Sequence, residues 1–274
     1  MVEFAVVRTS QSTSRQGLVF AGGSCLRPVD IAFSAFLVRH GDDSFLFDSG
    51  LGLRVDEQYG TEMPRWKRPL IWYGEVDAVK TQLERAGIAP PPRIVLSHGH
   101  WDHASALVDF PQAEVWTTPA ERDFLKHAHD CGPLRRGAVM LSQVSSPSIR
   151  WHEFAFEPKP FRNFEASLDL YGDGTVVLVP LAGHTPGSIG MFLTVDSGRR
   201  FLFCGDTVWN ANAIPKARPK TFLARAMVDS DAVETQRAVN RLRDALVADP
   251  ELTIIPAHDA AVQDRLGLFP AFVR

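Results

Sequence analysis

The heptapeptide at residues 97–103, Ser-His-Gly-His-Trp-Asp-His, constrains the fold and chemistry of this chain more than any other segment. Four of its side chains can bind a metal ion: His98, His100, Asp102 and His103. The apolar, β-branched residues just before it predict a buried strand that ends in the heptapeptide. On an extended backbone, histidines two positions apart point the same way. Zinc needs nitrogen and oxygen ligands held at roughly 2.0–2.2 Å by a rigid scaffold, so the segment predicts a catalytic zinc site.

Three later motifs follow the heptapeptide: Gly-His-Thr-Pro-Gly at residues 183–187, Cys-Gly-Asp-Thr at residues 204–207, and Pro-Ala-His-Asp at residues 256–259. In this order, the four motifs resemble the signature of the metallo-β-lactamase superfamily. The resemblance spans nearly the whole chain. It implies an α+β fold, a four-layer αββα sandwich with two sheets face to face and helices outside. Periodicity alone predicts only an α/β or α+β chain.

The resemblance also implies a set of ligands for two zinc ions. His98, His100 and His184 would bind the first ion, and Asp206 would bridge both. The second ion would take the remaining three: Asp102, His103 and His258. Each late ligand follows a predicted strand, where backbone position is best defined. Asp48 also ends a predicted strand; we expect it to bond a ligand imidazole and fix its tautomer, with a plain turn role as the alternative.

The residue at position 100 bears on the identity of the metal. Members of the superfamily that reduce oxygen carry a glutamate where this chain has His100. An imidazole there favours zinc, and iron, cobalt and manganese remain the alternatives.

A centre of this kind indicates hydrolysis. Coordination lowers the pKa of water from about 15.7 to about 7, which provides a nucleophile at neutral pH. We expect a metal-bridging hydroxide to attack a substrate carbonyl, and Asp102 or water to protonate the leaving alkoxide. The heptapeptide ligands are therefore the predicted catalytic residues: His98, His100, Asp102 and His103.

The layout most resembles the acyl-homoserine lactone lactonase branch, which predicts a lactone or carboxylic ester as substrate. In that branch a tyrosine three residues after the bridging aspartate helps to bind the carbonyl, and this chain has Trp209 there. Trp209 could line an acyl pocket or simply pack in the core. The aromatic stretch 59–73 supplies the other predicted substrate contacts: Trp66, Trp72 and Tyr73.

Other functions remain open on the same residues. A thioester, a phosphotriester or a β-lactam could be the substrate of the same metal site. A metal-bearing, ligand-sensing protein without catalysis is the alternative outside enzymes, although the complete ligand set argues against it.

Composition narrows the partners and the location. The 274 residues carry a net charge of −3, which argues against a surface that follows nucleic-acid phosphates. Three cysteines fit a reducing compartment, and we expect a cytoplasmic protein without a membrane span. Because the motifs at residues 98 to 258 must converge, we expect one metallo-hydrolase domain over residues 1–274. We expect its partner to be a small-molecule substrate, and a homodimer is a further possibility.

Local patterns predict several elements. Residues 33–39 and 44–48 should form a hairpin, and residues 76–86 and 119–129 should form helices. A third helix should run from a capping pair at Asp231 and Glu234 to about residue 247. Further strands are expected at residues 113–117, 175–179, 189–193, 201–204 and 252–255. Residues 51–75 and 130–165 are expected to be irregular, and His40, His127, His129 and His152 to lie on the surface or in loops.

Overall fold

Two β-sheets face each other in the computed structural model, and helices cover both outer faces. The structure describes the backbone of residues 1–274 and every side chain except that of His129. The expectation for the His129 side chain therefore lies outside the described residues. The predicted four-layer αββα sandwich is confirmed.

The first sheet has six strands in the order β1-β2-β3-β4-β5-β6, and the second has five in the order β11-β10-β9-β8-β7. The strands of the first sheet are β1 (Val2–Arg15), β2 (Pro28–His40), β3 (Asp43–Phe47), β4 (Arg93–Val95), β5 (Glu114–Thr117) and β6 (Arg150–Glu153). Those of the second are β7 (Leu168–Asp169), β8 (Val176–Pro180), β9 (Ile189–Thr194), β10 (Arg200–Phe203) and β11 (Thr253–Ile255).

The helices lie between these strands along the chain. They are α1 (Gln16–Val19), α2 (Val55–Glu62), α3 (Val79–Arg85), α4 (Trp101–Ala104), α5 (Pro119–Lys126), α6 (Leu141–Val144), α7 (Phe222–Val228), α8 (Ala232–Ala248) and α9 (Ala260–Leu266). Short 3-10 turns occur at Ser105–Asp109, Ala128–Asp130 and Ala211–Lys216.

The alternation of side chains along β8 shows how the layers pack. Val176 and Leu178 point into the core between the sheets, where they join Phe4, Phe36 and residues of β9 and β10. Val177 and Val179 point outward, into the cluster that α8 covers. Both faces of this strand are buried, which explains its continuous apolar sequence.

Strand ends bring the metal motifs to one edge of the sandwich. β3, β4 and β5 are parallel neighbours, so the residues after β3 and β4 emerge on the same side. β10 and β11 are also parallel, and the motifs at residues 204–207 and 256–259 follow them directly. The two sheets therefore present their loops to a common space.

Several sequence predictions differ from the structure. The helix predicted at residues 76–86 begins at Val79, because the backbone of Ala78 is not helical, with ψ at 147°. The helix predicted at residues 119–129 ends at Lys126. Residues 51–75 contain α2, and residues 130–165 contain α6 and β6. The hairpin is confirmed, as β2 and β3 pair in antiparallel register. Within the part of the chain that is described, no helix is both long and apolar enough to cross a membrane.

Candidate metal centre and substrate cavity

The seven predicted ligands converge in one buried cluster. Their donor atoms form three overlapping triads, in each of which all donors lie within 4.8 Å of one another. The triads are His98, His100 and His184; His98, His103 and Asp206; and Asp102, His103 and His258. Both sheets contribute, because the heptapeptide follows β4 and the later ligands follow β8, β10 and β11.

Outward hydrogen bonds fix three of the imidazoles. His103 Nδ1 lies 2.8 Å from Asp48 Oδ2, and His258 Nδ1 lies 2.7 Å from the carbonyl oxygen of Ala32. His184 Nδ1 lies 2.8 Å from an oxygen of Asp229. Because carbonyl and carboxylate oxygens only accept, each Nδ1 carries the proton, and the lone pair of each Nε2 points into the cluster.

His98 follows the same logic through a serine. Ser97 Oγ donates to Asp48 Oδ2 over 2.8 Å and lies 3.0 Å from His98 Nδ1, so it accepts the proton of that nitrogen. His98 Nε2 then faces His184 Nε2 at 3.1 Å. Two lone pairs at this distance repel each other unless a cation lies between them. This arrangement fits a metal ion.

Asp206 lies between the two groups of histidines. Its Oδ2 is 3.5 Å from His184 Nε2, and its Oδ1 is 3.2 Å from His103 Nε2 and 3.1 Å from His258 Nε2. His103 Nε2 and Asp206 Oδ1 are both buried, and despite these short distances neither has a partner in hydrogen-bond geometry among the described residues. Buried polar atoms without partners are rare, and a bound cation would satisfy both.

The electrostatics divide the cluster in two. Burial, together with the neighbouring imidazoles, holds the pKa of His98 well below its usual value, and burial lowers the pKa of His184. Burial also lowers the pKa of His103 and His258, but nearby carboxylates outweigh it and raise both. The imidazoles of His98 and His184 are therefore favoured in the neutral form, whereas the surroundings of His103 and His258 favour positive charge. Both properties suit divalent metal ions, which bind neutral histidine and carboxylate.

Glu121 ties together the two loops that carry His98, His100 and His184. It is completely buried on the first turn of α5, and its carboxylate accepts bonds from Gly99 N (2.7 Å), Thr185 Oγ1 (2.6 Å) and Gly187 N (3.2 Å). Burial raises its pKa to about 7 although these donors act in the opposite direction.

A cavity of about 200 Å³ opens beside the cluster, with His100, Asp102, Asp206 and His258 in its lining. Most of its wall is apolar. Among the predicted substrate residues, Trp72 and Trp209 line the cavity, whereas Trp66 and Tyr73 lie outside its described lining. Tyr73 instead bonds to Asp56 through its hydroxyl, which is 2.7 Å from Asp56 Oδ1.

Trp209 has a role beyond the two that the sequence suggested, which were to line an acyl pocket or to pack in the core. Its indole N–H donates to Asp206 Oδ2 over 2.8 Å, so it is committed to a predicted metal ligand. The three tyrosines are committed elsewhere, since the hydroxyl groups of Tyr59, Tyr73 and Tyr171 bond to Ile71, Asp56 and Asp43. None of them takes the place of a carbonyl-binding tyrosine in the cavity.

The sequence interpretation missed three residues of the site: Asp229, Lys220 and Glu121. Lys220 Nζ pairs with Asp229 Oδ1 at 2.9 Å, and the same oxygen faces His184. Nothing in the sequence around Asp229 links it to a histidine 45 positions away. Glu121 stands three residues after Thr118, a capping spacing that predicts a helix start but no contact with the metal loops.

Comparisons with known proteins agree with this geometry. The family model described as the metallo-beta-lactamase superfamily matches residues 33–258. A protein of Mycobacterium tuberculosis named "Probable metallo-hydrolase" is 30% identical over 240 residues, which cover 81% of this chain and 73% of that protein. The N-acyl homoserine lactonase AttM of Azorhizobium caulinodans is 27% identical over 245 residues, which cover 84% of this chain and 82% of the lactonase.

Solved structures show the same fold. The structure of an N-acyl homoserine lactone hydrolase, with N-hexanoyl-L-homoserine bound at its catalytic metal centre, superimposes with a TM-score of 0.77. The superposition covers 99% of this chain and 98% of that one at 15% identity. Fold, donor set and sequence matches agree, and the chain belongs to the metallo-β-lactamase superfamily as a metal-dependent hydrolase.

Proposed function

We propose that this protein is a dinuclear zinc-dependent hydrolase that cleaves a lactone or carboxylic ester. The observation that carries the proposal is the pair of outer triads, each with three donors, joined by Asp206. His98, His100 and His184 would hold one ion, and Asp102, His103 and His258 would hold the other. Nitrogen-rich and oxygen-containing donor sets of this kind suit zinc.

When bound, two such ions supply Lewis-acid polarisation of a carbonyl and a water of lowered pKa. The protein positions the reaction. Asp48, Asp229 and the carbonyl of Ala32 hold three imidazoles in the tautomer that leaves Nε2 free. The apolar wall excludes bulk water and orients the acyl part of the substrate.

Asp102 is the group best placed to move a proton. It lines the cavity, and its Oδ2 lies 3.2 Å from His258 Nε2. In the proposed reaction, Asp102 accepts the proton that the attacking water loses and delivers it to the leaving oxygen as the acyl–oxygen bond breaks. The products are an alcohol and a carboxylic acid, which releases its remaining proton to solvent as it becomes a carboxylate; both groups stay in one molecule when the substrate is a lactone.

The relatives support the substrate class. AttM is named as a lactonase, and the superimposed hydrolase has the opened lactone product at its metal centre. We further propose that residues 1–274 act as one domain, because ligands come from both sheets. A cytoplasmic location is consistent with three free cysteines.

The test is turnover by purified, zinc-loaded protein. We expect hydrolysis of lactones or aryl esters, two zinc ions per chain by metal analysis, and loss of most turnover with loss of bound zinc in Asp206→Asn. The exposed Asp244→Asn is the matched control and should behave as wild type. Absence of turnover on short-chain and long-chain lactones and on aryl esters would overturn the proposal. Thioesters, phosphotriesters and β-lactams in the same panel separate the alternative substrates.

A further inference from the structure

Lys67 is buried in the wall of the substrate cavity without a counter-charge. The residue is 1% exposed, yet it lines the cavity with Trp72 and His100. Among the described side chains, none forms a hydrogen bond or ion pair with its Nζ. The contact of this ammonium group is with the ring of Trp66, whose centroid lies 5.6 Å from Nζ. An ammonium group with so little compensation in the wall of a cavity is a donor that a bound molecule can use.

Lys220 shows how the same fold treats a buried lysine that is structural. It is also 1% exposed. Its Nζ pairs with Asp229 at 2.9 Å and donates to the carbonyl oxygens of Asp206 and Thr207. Lys67 has no comparable set of acceptors, and its place in the cavity wall means that a bound molecule can provide them.

The rest of the cavity wall offers Lys67 no partner. The charged residues of the lining, apart from Lys67, belong to the metal centre. The remaining wall consists of hydroxyl groups from Ser12, Thr13, Ser14 and Thr221, and of apolar side chains such as Leu70, Ile71 and Met227. Burial lowers the pKa of Lys67 to about 8 while the Cys131 thiol acts against that shift, so most molecules keep the charge at neutral pH.

We propose that Lys67 binds an anionic group of the substrate, and that this hydrolase acts on an ester or lactone that carries a carboxylate or similar anion besides its scissile carbonyl. The inference rests on the proposed function and specifies its substrate class. The metal centre would bind the reacting carbonyl, and Lys67 would select for the second, charged group by an ion pair in an apolar surrounding.

Binding of a non-reacting probe tests the charge preference without turnover. Hexane-1-sulfonate and hexan-1-ol share an alkyl chain, and only the sulfonate carries a charge. In zinc-loaded protein, tryptophan fluorescence should report both. We expect Lys67→Met to weaken sulfonate binding about tenfold or more and to change alcohol binding less than twofold. Equal losses for both probes, or no loss for either, would overturn the inference.

Stability measurements separate this role from a structural one. Because the ammonium group lacks a partner, Lys67→Met should raise the melting temperature of the free protein, and sulfonate should raise that temperature in wild type alone. A strongly destabilised Lys67→Met would show a structural role and contradict the inference. The exposed Lys126→Met is the matched control. Cys131→Ser should leave sulfonate binding unchanged; tighter binding there would identify the Cys131 thiolate as a competing counter-charge and contradict the inference.

Kinetics connects the inference to the reaction. On a pair of esters that differ in a distal carboxylate, Lys67→Met should raise KM for the charged ester about tenfold and leave the neutral ester within twofold. If the protein hydrolyses neither ester but binds sulfonate through Lys67, the proposed function fails and the anion site stands. If it hydrolyses both equally in wild type and variant, the anion site fails and the hydrolase stands.

Discussion

The indole nitrogen of Trp209 donates a hydrogen bond to Asp206 Oδ2 over 2.8 Å, and it thereby holds the carboxylate that lies between the two groups of histidines. Trp209→Phe keeps an aromatic ring in the cavity wall and removes this donor. A hydrogen bond to a charged acceptor contributes about 1.5–3 kcal/mol, and outer partners of metal ligands commonly change metal affinity 10–100-fold. We expect the zinc affinity of Trp209→Phe, measured by competition with a chelator, to be 10–100-fold lower than that of wild type. Trp72→Phe, which also alters the wall, should leave zinc affinity unchanged; an equal fall there would contradict the role of the hydrogen bond.

Asp229 supports His184 and neutralises Lys220 at the same time. Its Oδ1 is 2.8 Å from His184 Nδ1 and 2.9 Å from Lys220 Nζ, and all three side chains are buried. Asp229→Asn should therefore leave Lys220 as an unpaired buried cation, which costs about 3 kcal/mol of unfolding free energy. Urea unfolding measures this loss. Zinc affinity should also fall about tenfold or more, because the tautomer of His184 is no longer fixed.

The second substitution Lys220→Met tests the origin of that loss. In the double variant Asp229→Asn with Lys220→Met, the unpaired cation is gone, so much of the stability should return while zinc affinity stays low. Persistence of the full stability loss in the double variant would assign it to His184 instead.

Local sequence pattern predicted the elements whose stability is local. α8 begins as expected after Asp231, whose carboxylate accepts bonds from the N–H groups of Val233 and Glu234. The start of α3 could not be predicted, because nothing local marks the non-helical backbone of Ala78, and the residue before it bonds to β1 through Asp77 N and Thr9 O, far apart in sequence. The long strand β1 was also missed, although residues 4–7 are continuously apolar, since such a run does not distinguish a buried strand from a helix.

The same distinction applies to the site. Residue type and spacing singled out the heptapeptide, and the resemblance to the metallo-β-lactamase superfamily implied the full set of seven predicted ligands, whose donor atoms the structure brings together. The partners that orient them were harder to predict. Asp229 and Glu121 are ordinary acidic residues in sequence, and only the packing of α5 and of the residues after α7 against the metal loops gives them their contacts. The donor role of Trp209 likewise depends on the turn after β10.

Gly187 allows the loop after His184 to approach α5. A Cβ at this position would lie 2.3 Å from Glu121 N and 2.3 Å from Thr118 Oγ1. The first of these is a backbone atom of the helix, so Gly187→Ala must displace the loop and should lower the unfolding free energy by about 2 kcal/mol or more. A Cβ at Gly60 on α2 meets nothing within 4 Å. Gly60→Ala should raise stability by about 0.5–1 kcal/mol, as alanine does in helices, and equal responses of the two variants to urea would contradict the close-approach argument.

Glu121 predicts a pH dependence of stability. Burial raises the pKa of its carboxyl from 4.5 to about 7. Between these values the unfolded chain has lost the proton and the folded chain retains it, so the unfolding free energy falls as pH rises through this window. The loss amounts to about 2 to 3 kcal/mol between pH 5 and pH 8 for a fully buried group.

Glu121→Gln cannot titrate, and it leaves either Gly99 N or Gly187 N without an acceptor. At pH 5 its unfolding free energy should therefore be lower than that of wild type. Between pH 5 and pH 8 the difference should shift in favour of the variant by about 2 to 3 kcal/mol, because only wild type loses stability. Urea unfolding with excess zinc at both pH values measures the difference, and the exposed Glu84→Gln should show no such trend. A constant difference between Glu121→Gln and wild type across this range would mean that the carboxyl titrates near its ordinary value.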